Sequence, residues 1–197
     1  ITYYKNEQAA LDIANEINQG VEIFQLDNKK PDSVNAVMDE LIHKFGSINT
    51  IVNAAGFDIP QKFISEIDID LWKSVMDADV NGFFNLVKSG LPHLRASEGS
   101  MVFISSAGLF KYPPGDVLSV APKATIEHLL KGIAKEEGKN GVRANSIALG
   151  VIDTGIFHRL REENNTFFDD AWHESVLNTL ALKRFGYPEE VAHTAVF

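Results

Sequence analysis

Met101-Val102-Phe103-Ile104-Ser105-Ser106-Ala107-Gly108 is the stretch on which the fold turns. Four apolar residues run without alternation and then stop at a small, polar turn. That is the signature of a strand buried on both faces, as in a parallel sheet, rather than of a half-solvated antiparallel one. Working outward, Asp68 to Leu94 carries helical spacing before it, and a second helix is expected from about Ser119 to Lys139. Val142 to Ala148 then reads as the next strand.

The N-terminal part repeats the alternation. Ile1 to Tyr4 reads as the tail of a strand, and Glu7 to Ile17 as a helix with Asn6 as its cap. Val21 to Leu26 is a short strand, Pro31 opens a helix where its missing N–H costs nothing, and Asn49 to Asn53 is a strand. After Ala148 come two short helical patterns up to Leu182, and Pro188 begins a last helix. Strands joined by helix-length crossovers predict an α/β fold, a doubly wound Rossmann-type parallel sheet with helices on both faces. No repeat or linker interrupts the chain, so a single domain over 1–197 is expected. Both ends read as cut. The expected fold therefore lacks its first βα unit, with the glycine-rich turn that would hold pyrophosphate, and its last strand.

Composition narrows the class. A chain of 197 residues, 45% hydrophobic and 23% charged, can bury one sizeable core. No apolar run approaches the roughly 20 residues that span a bilayer, and no signal peptide opens the chain, so a cytoplasmic protein without a membrane partner is expected. Absence of Cys excludes disulfides and thiolate metal sites. Net charge of −9 argues against a nucleic-acid partner. The six histidines show no paired metal spacing, so no metal site is expected. Glu162, Glu163, Asp169 and Asp170 read as a solvated face of a lid.

Five features stand in order along the chain: Asn53-Ala54-Ala55-Gly56 after a strand, Asn81 in a long helix, Ser106 after a strand, Lys123 in the next helix, and Gly150-Val151-Ile152-Asp153-Thr154 after the following strand. Together with Arg184-Phe185-Gly186-Tyr187-Pro188, this order resembles the short-chain dehydrogenase/reductase family. The likeness is to its classical branch of β-ketoacyl carrier-protein reductases and glucose dehydrogenases. It implies an NAD(P)(H)-dependent oxidoreductase acting on a carbonyl or alcohol. In such a reaction hydride goes to carbon while an acid protonates the developing alkoxide. The resemblance implies that Ser106 holds the substrate oxygen, Lys123 bonds the nicotinamide ribose and Asn81 supports a water relay.

The acid in that family is a tyrosine four residues before the lysine, and here the position is Ser119. An unperturbed serine hydroxyl is a far weaker acid than a phenol, whose pKa is near 10. Pro122 sits directly before Lys123, and proline is cheap only in a first helical turn. The expectation is therefore that the helix starts at about Ser119, with Ser119 as its N-cap. Tyr112, in Phe110-Lys111-Tyr112-Pro113-Pro114-Gly115, is the best substitute acid; it also reads as a packing residue. His128 faces away from Lys123, and Asp116 reads as a turn residue. Leu149 stands where the family has Pro, and Gly155 where Pro is common.

For the cofactor, Thr2-Tyr3-Tyr4-Lys5 holds no carboxylate to select the free ribose 2′-hydroxyl of NAD, and Lys5 suits a 2′-phosphate, so NADP is favoured over NAD. The resemblance assigns cofactor contacts to Tyr3, Lys5, Asp27, Asn28, Asn53, Ala54, Ala55, Gly56, Lys123, Ile152 and Thr154. It also implies a homodimer or homotetramer paired through the 68–94 and 119–139 helices. Phe157, Phe167, Phe168 and Trp172 suggest a small apolar carbonyl or alcohol substrate. Two readings stay open: an atypical reductase with impaired proton transfer, and a nucleotide-binding relative that no longer catalyses and serves as a partner subunit or sensor.

Overall fold

Strands and helices alternate as the apolar runs predict, and the computed structural model describes residues 1–162 and 167–197. In chain order they are β1 (Thr2–Tyr3), α1 (Glu7–Ile17), β2 (Phe24–Gln25), α2 (Pro31–Phe45), β3 (Thr50–Asn53), α3 (Ile69–Met76) and α4 (Gly82–Ser97). There follow β4 (Ser100–Ser106), α5 (Val117–Glu137), β5 (Arg143–Leu149), α6 (Ile156–Glu162), α7 (Asp170–Thr179) and α8 (Pro188–Val196). Glu163, one of the acidic residues singled out above, lies outside the described residues.

All strand pairings are parallel. β4 is the centre of a three-stranded sheet ordered β3-β4-β5, with Thr50 opposite Ser100 and Ser100 opposite Arg143. β1 and β2 form a separate pair, with Thr2 opposite Phe24. This is the doubly wound α/β arrangement expected from the sequence. β2 is shorter than its apolar run, because only Phe24 and Gln25 find ladder partners on the two-residue β1.

The core is built where helix stripes meet the sheet. Val34 and Met38 from α2, Phe83, Leu86 and Leu94 from α4, Met101 and Phe103 from β4, and Ile126, Leu130 and Ile133 from α5 form one buried cluster. Gly90 lets α4 lie close on β3, since a Cβ there would stand 2.5 Å from Ile51 Cδ1. α3 and α4 form one continuous helical rod joined by a π turn at Asp77–Asn81. Such a turn holds one extra residue and re-aims the side chains within it.

The expected start of α5 is corrected. The helix begins at Val117, and Asp116 rather than Ser119 occupies the N-cap position. The backbone fixes this start: Ser119 N–H and Val120 N–H both donate to the Asp116 carbonyl, at 3.0 and 2.9 Å. Gly115, at φ +81°, turns the chain into it. Pro122 consequently lies inside the helix. Its ring is fully buried, so apolar packing offsets the hydrogen bond that its nitrogen cannot make.

Among the described residues, no helix is long and apolar enough to cross a membrane. No group of three His, Asp or Glu residues among them is placed to hold a metal ion.

Candidate active site

Open parallel sheets offer a crevice beyond the carboxyl ends of their strands. Here that rim is formed by Asn53 at the end of β3, Ser105 and Ser106 at the end of β4, the π turn, and the first two turns of α5.

Lys123 is the centre of charge. Its Nζ donates to Ser119 Oγ at 3.1 Å, one helical turn back. Burial pulls the Lys123 ammonium below the usual lysine range, while the neighbouring Asp79 and Asp116 carboxylates hold it up. Burial likewise raises Asp79, opposed by the Phe57 N–H and by Lys123. Burial raises Asp116 too, opposed by the Gln61 side chain and by Lys123. Both acids are anchored: Phe57 N–H donates to Asp79 Oδ1 at 2.7 Å, and Gln61 Nε2 to Asp116 Oδ1 at 3.0 Å. Asp79 also approaches Gly56, its Oδ2 standing 3.8 Å from where a Cβ would be. Two carboxylates thus act through their charge on one partly buried ammonium.

Ser106 Oγ accepts the Gly108 N–H at 3.0 Å, which opens the 3-10 turn Ala107–Leu109 against Val120 of α5. Its own hydroxyl proton is left to donate. Ser105 Oγ is buried without a partner.

Asn81 is not brought to this cluster. Its side chain is exposed and donates to Asp77 Oδ1 at 3.1 Å. It borders an open hollow of about 490 Å³ shared with Trp72, Lys73 and Met76. The residue facing Lys123 from this rod is Asp79, which the sequence reading did not name. A signal was present: Val75, Asp79, Phe83, Leu86 and Gly90 recur at helical spacing, so Asp79 falls on the buried stripe and Asn81 does not. Tyr112 stands 48% exposed in its loop. His128 is exposed, its Nδ1 3.3 Å from the Ala124 carbonyl oxygen.

The remaining named residues lie at or after the carboxyl ends of β1, β2, β3 and β5. Asn53 Oδ1 and Asn28 Oδ1 are buried acceptors without partners, at the end of β3 and shortly after β2. Asp27 is tied down locally, accepting the Lys29 N–H at 3.2 Å and pairing with Lys30 at 3.5 Å. Ala54, Ala55 and Gly56 are exposed, as is Lys5, whose Nζ lies over the Tyr4 ring; Tyr3 is half-buried. Ile152 bridges to Gly186, and exposed Thr154 donates its N–H to the Ile152 carbonyl at 2.8 Å.

The protein is thus a doubly wound α/β fold with a lysine, a serine and buried acceptors at the carboxyl ends of its strands. The profile of the family described as "Enoyl-(Acyl carrier protein) reductase" matches residues 1–197. This chain belongs to the short-chain dehydrogenase/reductase family, whose members are NAD(P)-dependent oxidoreductases. It is 30% identical over 192 residues to a 3-oxoacyl-(acyl-carrier-protein) reductase FabG of Chlamydia muridarum, covering 97% of this chain and 74% of the relative. It is 29% identical over 178 residues to the enzyme of that name from Thermotoga maritima, covering 90% and 69%. With that of Staphylococcus aureus strain Mu50 it shares 28% over 201 residues, covering 100% and 78%.

Proposed function

We propose that the protein is an NADP(H)-dependent oxidoreductase acting on an apolar carbonyl or alcohol, with proton transfer impaired or rerouted for want of a phenol beside its lysine. The observation that carries this reading is the 3.1 Å bond from Lys123 Nζ to Ser119 Oγ. It keeps the lysine aimed at the position where the acid is missing.

The dinucleotide is supported by chemistry at the sheet edge. Asn28 Oδ1 and Asn53 Oδ1 are buried acceptors that lack donors, and ribose hydroxyls or an adenine amino group would supply them. Tyr3, Lys5, Asp27, Ala54, Ala55, Gly56, Ile152 and Thr154 complete the proposed contacts. Exposed Lys5 suits a 2′-phosphate. When bound, the cofactor supplies hydride; the chain's own residues hold the substrate oxygen through the Ser106 hydroxyl and set the local field through Lys123, Asp79 and Asp116. Names of the relatives favour an acyl-chain carbonyl, and Phe63 against Phe167, ring centroids 5.0 Å apart, offers such a chain an apolar wall. Exposed Phe84 on α4 supports pairing into a homodimer or homotetramer. A cytoplasmic setting is part of the same reading.

Ser119 favours one alternative, a nucleotide-binding subunit or sensor without turnover. Thermal stabilisation by NADPH, followed by turnover on a panel of apolar ketones and 3-oxoacyl thioesters, separates the two. Stabilisation with turnover supports the enzyme. Stabilisation without turnover supports the alternative, and no stabilisation sinks both.

A further inference from the structure

The geometry points to a second, hydrolytic chemistry at the same helical turn: Ser119 acts as a nucleophile toward an acyl ester or thioester, with Lys123 as its general base. A serine is activated by a base within about 2.6–3.2 Å that is itself oriented by a third group. Lys123 Nζ stands 3.1 Å from Ser119 Oγ. Four residues apart on one helix, the two share a face by backbone geometry. What orients the amine is its bond to Ser119 itself; Asp79 and Asp116, each anchored by its own hydrogen bond, act on it through their charge.

A lysine is a base only when uncharged, and burial favours that form here. The flanking carboxylates oppose it, so the base form grows as pH rises. Ser106, at the end of β4, keeps a hydroxyl proton to offer a developing oxyanion. The Phe167 ring covers Gly115, directly before the α5 N-cap, and Phe63 packs beside it. That wall suits an apolar acyl chain.

The step balances without any redox partner. Ser119 Oγ bonds to the carbonyl carbon and its proton passes to Lys123 Nζ. The carbon–sulfur or carbon–oxygen bond then breaks, and Lys123 returns the proton to the departing thiolate or alkoxide. Water attacks the acyl-serine, Lys123 again taking its proton and passing it to Ser119 Oγ as that group leaves. The products are a carboxylic acid and free Ser119. Nothing in this cycle requires a nucleotide, so it stands or falls apart from the reductase reading.

The test uses the full chain, a fluorophosphonate probe mapped by peptide mass spectrometry, and p-nitrophenyl butyrate hydrolysis. The expected result is a single adduct at Ser119, abolished in Ser119→Ala, with hydrolysis that rises with pH. Lys123→Met and Lys123→Arg should each slow labelling and hydrolysis by about 100-fold or more, the usual worth of a general base. An adduct on Ser105 or Ser106 instead, no adduct at all, or unchanged rates in the lysine variants overturns the proposal. Melting curves identify any variant that fails to fold. If both lysine variants do, the adduct position in the unaltered protein decides.

Discussion

Lys123 Nζ donates a 3.1 Å hydrogen bond to the hydroxyl of Ser119, one turn earlier on α5. The bond holds the lysine side chain toward position 119. With the helix starting at Val117, position 119 already lies inside the helix, and Ser119→Tyr would set a phenol within reach of the ammonium. The variant should raise NADPH-dependent carbonyl reduction by roughly 100-fold or more, the scale of a restored general acid. Steady-state rates measured beside the unaltered protein check it, and equal rates would show that the site lacks more than its acid.

Asp79 raises the Lys123 pKa through its charge. Asp79→Asn keeps an acceptor for the Phe57 N–H and removes that charge. The Lys123 titration, followed by nitrogen NMR of labelled lysine, should move to lower pH. An unmoved midpoint would show that Asp79 and Lys123 do not interact.

Asn81 points away from the cluster. Asn81→Ala should change stability by no more than about 0.5 kcal/mol, as for an ordinary surface position. It should also leave NADPH binding and any turnover unaltered, measured by calorimetry and initial rates.

Glu137 is held at about 2, well below its ordinary 4.5, chiefly by the Arg95 guanidinium, whose Nε lies 2.6 Å from Oε2. A depressed carboxylate pKa contributes stability that is full above the unfolded value. That stability drains away as pH falls from 4.5 toward about 2. Denaturant midpoints across this range should fall less steeply in Glu137→Gln than in the unaltered protein. Parallel slopes would assign the acid sensitivity elsewhere.

Gly115 and Gly46 have nearly the same backbone, at φ +81° and +80°, yet only Gly115 faces a ring, with Phe167 Cε1 2.6 Å from its Cβ position. Gly46→Ala should cost about 1–2 kcal/mol for the left-handed conformation alone. Gly115→Ala should cost more, because the ring must also move. Equal losses in denaturant melts would mean that Phe167 gives way freely.

The architecture was legible because it rests on uninterrupted apolar runs. Met101–Ile104 lies within β4, and the alternation of strands and helices placed the parallel sheet correctly. The site was legible only in part. Lys123 and Ser106 are anchored to strand and helix ends that the pattern marks. The start of α5 was missed because Pro122 was read by local propensity, whereas burial of its ring decides. Asp79 was missed because an asparagine two residues on attracted the assignment. On a helix two residues are about 200° apart, so the two side chains occupy opposite faces.

The π turn at Asp77–Asn81 separates two facings within one rod. Before it, α3 buries Val75 beside Leu118 and Ile59; after it, α4 buries Phe83, Leu86, Val87 and Leu94 against the sheet. The surplus residue works as a phase adjuster between these commitments. Deleting a single residue there would rotate one segment by about 100° against the other, forcing a choice between the sheet core and the pocket wall. Length in this segment is therefore constrained more tightly than its residue identities. A library of insertions and deletions through 76–82 should be far less tolerant than a library of substitutions.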